Sequence, residues 1–162
     1  RRHNRSETLK TFLRFLEDRS ATVRCACARS LACIADCCDM EVGLALVDHL
    51  ADDDSDVQEE AVRALRLLID AGMDGSPIMT AISELLRHKH SRAAILAMSA
   101  MMELASFCTL REVRQVTARL SDVDGYVRLQ AGKALRQIAS KGDTEVVAAL
   151  LEAAHDDDEE VR

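Results

Sequence analysis

Aliphatic residues recur along this chain at a near-constant interval. Val23, Val57, Ala93, Val127 and Val161 stand 34, 36, 34 and 34 residues apart, and each heads the same short phrase. Seven residues earlier come Leu16, Leu50, Leu86, Leu120 and Ala154; four later come Cys27, Ala61, Ala97 and Ala131; eight later come Leu31, Leu65, Met101 and Leu135. Within a phrase the apolar positions keep the period of a helix, so the chain reads as repeated helix pairs. The spacing predicts first helices over about 7–18, 40–51, 76–87, 110–121 and 144–155, and second helices over about 21–36, 55–70, 91–106 and 125–140. Helix starts are marked by Ser76 before Pro77, by the box Thr109-x-x-Glu112 and by Asp143. Asp39, the stretch Ala71-Gly72-Met73-Asp74-Gly75 and Lys141-Gly142-Asp143 supply short connections with helix breakers.

On a helical wheel, the column residue shares one side with the positions four, five, eight, eleven and twelve later. Core candidates are therefore Val57, Ala61, Val62, Leu65, Leu68 and Ile69 in the second unit, and Val127, Ala131, Gly132, Leu135, Ile138 and Ala139 in the fourth. Seven after the column stand Ser30, Ala64, Ala100 and Ala134, small residues that let neighbouring second helices approach to about 8–10 Å. The expected architecture is all-α: a right-handed α-α solenoid of about four and a half helix-turn-helix repeats, in one domain over 1–162. Its units are about 6–38, 39–74, 75–108, 109–142 and a partial 143–162. The sequence does not begin with Met, and Asp156–Arg162 restates the linker and helix start of earlier units. It is expected to be a segment of a longer array.

Composition agrees with a helical, folded chain: 48% of residues are apolar, 30% are charged, and one proline and six glycines leave long stretches free to be helical. No apolar run approaches the roughly 20 residues of a membrane span, so a soluble, cytoplasmic protein that does not engage membranes is expected. A net charge of -7 argues against nucleic acid, which needs a concentrated positive field. Aromatic residues at 2% leave few platforms for stacking bases or a planar ligand.

The phrases Leu50-x-Asp52-x4-Val57-x3-Ala61-x3-Leu65 and Leu120-x-Asp122-x4-Val127-Arg128-x2-Ala131-x3-Leu135 resemble HEAT repeats, and the resemblance covers nearly the whole chain. It implies an armadillo-like superhelix whose second helices line a concave face, and a usual role as a protein scaffold. It also implies a structural ladder between units, made by an Asp in the turn and an Arg six residues on. The matching residues are Asp18/Arg24, Asp122/Arg128 and Asp156/Arg162, with Asp52/Gln58 half kept and His88 and Ala94 breaking the pattern in the third unit. Enzymes with similar repeats include an iron-dependent hydroxylase, a DNA glycosylase and bilin chromophore lyases. The His-Glu pairs of the first and the basic, aromatic face of the second are missing from the sequence. A non-catalytic lobe of a HEAT-like enzyme such as a bilin lyase is the alternative to a scaffold.

Candidate chemistry in the chain is sparse. Of six cysteines, Cys25, Cys27, Cys33, Cys37 and Cys38 fall on one helix and its exit, and Cys108 stands apart. Cys25 and Cys27 diverge by about 200° on a helix, and no second Cys or His pair completes a zinc pattern. Small core or surface thiols are the reading that follows. His88-Lys89-His90 could hold a transition metal weakly, but a solvated loop accounts for it. The acidic linkers at Asp52–Asp56 and Asp156–Glu160 lack the glycine and ligand spacing of a calcium loop, and capping explains them. No nucleophile set or facing carboxylate pair emerges, so no cofactor, metal or catalytic residue is assigned.

The surface is more informative. Arg29, Arg63, Ser99 and Lys133 lie six after the column, and Ala32, Arg66, Met102 and Arg136 lie nine after it. Stacked units would align the cations into a basic stripe, interrupted at the third unit by Ile95, Leu96 and Met102 and followed by Leu129. Such a face suits an acidic or amphipathic segment of a protein or peptide. The expected function is a non-catalytic, monomeric interaction scaffold with protein-binding residues Arg29, Arg63, Arg66, Lys133, Arg136, Ile95, Leu96, Met102 and Leu129.

Overall fold

The computed structural model describes residues 2–87 and 91–162, with side chains from residue 5 onward. The described residues form nine α-helices and no strand: α1 (Arg2–Leu16), α2 (Ala21–Ile34), α3 (Met40–Asp48), α4 (Ser55–Asp70), α5 (Gly75–Leu86), α6 (Ser91–Glu103), α7 (Leu110–Thr117), α8 (Gly125–Ile138) and α9 (Thr144–Ala153). Helix pairs joined by short turns are thus repeated along an all-α chain. Three-residue and four-residue 3-10 turns extend three of the elements, at His49–Ala51, Ala105–Phe107 and Ala118–Ser121. The helical segments expected over 40–51, 91–106 and 110–121 therefore tighten in their last turns, as helix ends commonly do. His88, Lys89 and His90, with the ladder break and the weak metal site read there, lie outside the described residues.

Starts are set by carboxylates and hydroxyls that accept exposed backbone N–H groups. Asp54 accepts from Asp56 and Val57, Asp124 from Tyr126, and Asp143 from Glu145 and Val146. Thr109 and Glu112 close the expected capping box. At α5 the acceptor is Asp74, whose Oδ1 takes the Ser76 N–H at 2.9 Å. Ser76 is therefore not the cap but the second helical residue, and the capping side chain stands two residues earlier than expected. Gly72 and Gly142 exit the preceding helices at φ of 104° and 84°, a conformation that strains any residue with a Cβ.

The chain divides into two compact units, Arg1–Ile78 and Met79–Arg162. In the first, α2 packs on α1 and α4, and α3 packs on α4. Arg5 near the start of α1 donates to Ile34 O at the end of α2 (3.1 Å), so this pair runs antiparallel. The core holds Leu16, Leu31, Leu46, Leu50, Val57, Leu65 and Leu68, each at most 1% exposed. Ala64 of α4 is buried as well. In the second unit, α8 packs on α6 and α7, and α7 on α9. Met98, Met101, Leu104, Val116, Val127 and Leu135 form the centre, with Ala100 and Ala134 buried as the small-residue pattern requires.

Several core candidates sit at the margin. Val62, Gly132 and Ala139, together with the column residues Val23, Ala93 and Val161, are half-buried. In α6 the buried residue beside the column is Ala94, 1% exposed, in the slot that Arg24 and Arg128 occupy in their helices.

Candidate interaction surface

The ladder residues fix the linkers and thereby the faces beside them. Arg24 donates from Nε and Nη2 to both oxygens of Asp52, at 2.8 and 2.7 Å, and from Nη1 to its own unit's Asp18 O at 2.8 Å. Arg128 repeats this arrangement with Asp156 (2.8 and 2.7 Å) and Asp122 O (3.0 Å). Each rung therefore joins the carboxylate of one repeat to the carbonyl of the one before, in the bidentate geometry that suits a planar guanidinium. Gln58 keeps only the carbonyl half, donating to Asp52 O. Arg162 likewise donates to Asp156 O at 2.8 Å. Asp122, which faces Ala94 in the pattern, is instead paired with Arg119 at 2.9 Å. Burial tends to raise the Asp52 carboxyl, but hydrogen bonds from Arg24 and the Asp54 N–H, with the Arg24 charge, hold it below its ordinary value. The hydrogen bond from Arg128 lowers Asp156 in the same way.

The cationic positions divide between two different settings. In the first unit, Arg29 and Arg63 converge on Glu60, at 2.9 and 3.0 Å. Glu60 is only 6% exposed, and the hydrogen bond from Arg29 holds its carboxyl below the usual range. The two arginines border a cleft of about 360 Å³ that also carries Asp54, Asp56 and Glu59. Four carboxylates against two guanidinium groups make that cleft net acidic, so the pair acts there as a clamp on Glu60. Arg66 pairs with Asp70 one turn on, at 3.2 Å. Glu60 had a sequence signal that the column reading passed over: it is a carboxylate on the inward side of α4, one turn before Arg63.

In the second unit, four of the expected contact residues come together. Met102 of α6 and Leu129, Lys133 and Arg136 of α8 line one groove of about 650 Å³. Leu150 and Ala153 of α9 add apolar wall, and Glu160 and Arg162 border it. Gln137 donates to Met102 O at 3.0 Å and ties α8 to α6 along the groove. Met102 and Leu129 are half-buried, whereas Lys133 and Arg136 are exposed and form no ion pair among the described residues. Ile95 and Leu96 are half-buried on α6 and do not line this groove. The contribution of α9 was not read from the sequence, because it depends on how one repeat's first helix meets the second helix before it.

The cysteines do not form a metal centre: no group of three or more His, Cys, Asp or Glu able to hold an ion occurs among the described residues. Cys27 is buried in the small-residue slot, Cys25 and Cys108 are intermediate, and Cys33, Cys37 and Cys38 are exposed. Burial pushes the Cys108 thiol up to about 11, the opposite of what a nucleophilic thiolate needs. No described helix is long and apolar enough to cross a membrane.

No family model matches the chain, and no curated protein does. Among solved structures, it is similar to two crystal structures of engineered proteins from the Northeast Structural Genomics Consortium. One is 23% identical, with 95% of this chain and 74% of that chain covered at a TM-score of 0.51. The other is 28% identical, with 94% and 76% covered at a TM-score of 0.52. The likeness is one of fold, and it places the chain among all-helical arrays of this kind.

Proposed function

We propose that this chain is a non-catalytic protein-interaction scaffold of the HEAT-repeat kind, and that the α8 groove receives an acidic amphipathic segment of a partner protein. The observation that carries this reading is the pairing of an apolar floor, Met102, Leu129 and Leu150, with Lys133 and Arg136, two exposed cations without an ion pair among the described residues. A helix laying apolar residues on that floor would present its flanking carboxylates to the two cations. The clefts in the first unit support the choice of groove by contrast, since Arg29 and Arg63 are already committed to Glu60.

The test is a fluorescence anisotropy titration with a labelled helical peptide carrying Leu on one face and Glu on the flanks. A scrambled peptide of the same composition serves as control. The expected result is binding of the patterned peptide that weakens with salt and drops about tenfold or more in the double variant Lys133→Glu/Arg136→Glu. Equal binding of both peptides, or of the wild type and a folded double variant, would overturn the assignment.

A further inference from the structure

The turn between α2 and α3 presents a second kind of site. Cys37 and Cys38 are adjacent and exposed, and their Sγ atoms lie 3.8 Å apart. The turn that carries them is braced before anything binds. Asp39 N–H donates to Asp36 O (2.9 Å), and Asp36 N–H donates to Asp39 Oδ2 (2.7 Å). Arg5 pairs with Asp36 at 2.8 Å and also with Asp39, and it donates to Ile34 O at 3.1 Å. Gly72 backs the turn, and a Cβ placed there would reach 4.0 Å from the Cys37 Cβ. Two thiols held side by side in this way lose little freedom when one atom bridges them.

Geometry selects what that atom is. A trans peptide sets adjacent Cα atoms about 3.8 Å apart, whereas ordinary disulfides span about 4.4–6.8 Å. Direct closure to a disulfide would therefore strain the turn, while an atom inserted between the sulfurs enlarges the ring and relieves it. Thiolate-bound metals such as zinc ask for three or four protein ligands, and no third His, Cys, Asp or Glu donor joins the pair. A monosubstituted trivalent arsenical asks for two sulfurs only, because its third bond is to its own carbon.

We propose that Cys37 and Cys38 form a capture site for monosubstituted trivalent arsenicals, R–As(OH)2, held through two As–S bonds. In the reaction two As–O bonds break and two As–S bonds form. Each thiol proton leaves with a hydroxide as water, no electron is transferred, and arsenic stays trivalent. The hydrogen bond to Cys37 and the charge of Cys37, with burial and the nearby Asp36 and Asp39, raise the Cys38 thiol.

The experiment treats the reduced chain with phenylarsine oxide, which hydrates to an R–As(OH)2 species, and follows adducts by mass spectrometry under glutathione competition. One arsenic per chain is expected, resistant to glutathione and released by a small dithiol. Cys37→Ser and Cys38→Ser should each weaken retention about 100-fold or more, the scale of a lost second attachment. Cys33→Ser and Cys108→Ser should leave it unchanged. Both turn positions are exposed, and circular dichroism of each variant checks that it folds. Retention at the wild-type level in either turn variant, an adduct mapped to other cysteines, or no glutathione-resistant adduct would overturn the assignment.

Discussion

His49 shows how much a single side chain can tie together. It is 7% exposed, with Nδ1 at 2.8 Å from Ala45 O and Nε2 at 2.9 Å from Leu16 O, so its ring joins the end of α1 to the end of α3. Replacing it with Leu keeps the volume but strands a buried carbonyl oxygen, and a loss of about 1–3 kcal/mol in urea unfolding is expected. Ser83 gives the opposite sign: its hydroxyl is fully buried in α5 with no hydrogen-bond partner among the described residues. Ser83→Ala removes an unsatisfied group and adds helix propensity, so unfolding should require about 0.5–1 kcal/mol more. Leu65→Ala or Leu135→Ala, at positions no more than 1% exposed, should cost about 2–5 kcal/mol through the cavity each leaves. The leucines were legible in the sequence because burial follows a period. His49 was not, because its ring reaches a carbonyl 33 residues away on another helix, and Glu60 was only in part, because its pairing with Arg29, 31 residues away, is announced by no periodicity.

At the scale of elements, the sequence marked the helices to within a few residues because capping groups and breakers act locally. Asp54, Thr109, Asp124 and Asp143 each stand at the start of the helix they cap. The rungs were only half legible: Asp and Arg six apart are visible in one repeat, but the bidentate pair joins Arg24 to the Asp of the following repeat, Asp52. A change at Arg24 should therefore loosen the α2–α4 contact rather than either helix alone. Arg24→Lys keeps the charge but loses the two-pronged geometry, and Arg24→Ala leaves the Asp52 side chain, 8% exposed, without its cation. Thermal melting should fall in both, further in the alanine variant, while far-ultraviolet circular dichroism at low temperature keeps its helical shape. An alanine variant melting with the wild type would show the rung to be dispensable. The groove was legible in four of its residues because they come from two second helices that share one register. Its α9 wall was not, because that needs the packing of unlike helices.

For the whole molecule, the charge arrangement sets two limits on stability as pH changes. Asp52 is held below its ordinary value although burial opposes this, Glu60 is held there chiefly by Arg29, and burial is outweighed at Glu112 by the Thr109 hydrogen bonds. A lowered carboxyl pKa means that the unfolded chain takes up protons first as acid is added. The stabilisation is thus complete above the ordinary carboxyl range near about 4 and is lost as pH falls through the lower folded values. Cys108 sets the other limit with the opposite sign, since burial raises its thiol from 9.0 to about 11. There the unfolded chain loses its proton first, so stability is complete below the ordinary thiol value and declines as pH rises toward 11. Urea midpoints measured across this span should form a plateau with two falling limbs. Asp52→Asn and Glu60→Gln should lower the plateau and flatten the acid limb, and Cys108→Ala should flatten the alkaline one. An acid limb of unchanged steepness in the double carboxylate variant would mean that the other lowered carboxyls, Glu112, Asp124 and Asp156, and not Asp52 and Glu60, govern the response to acid.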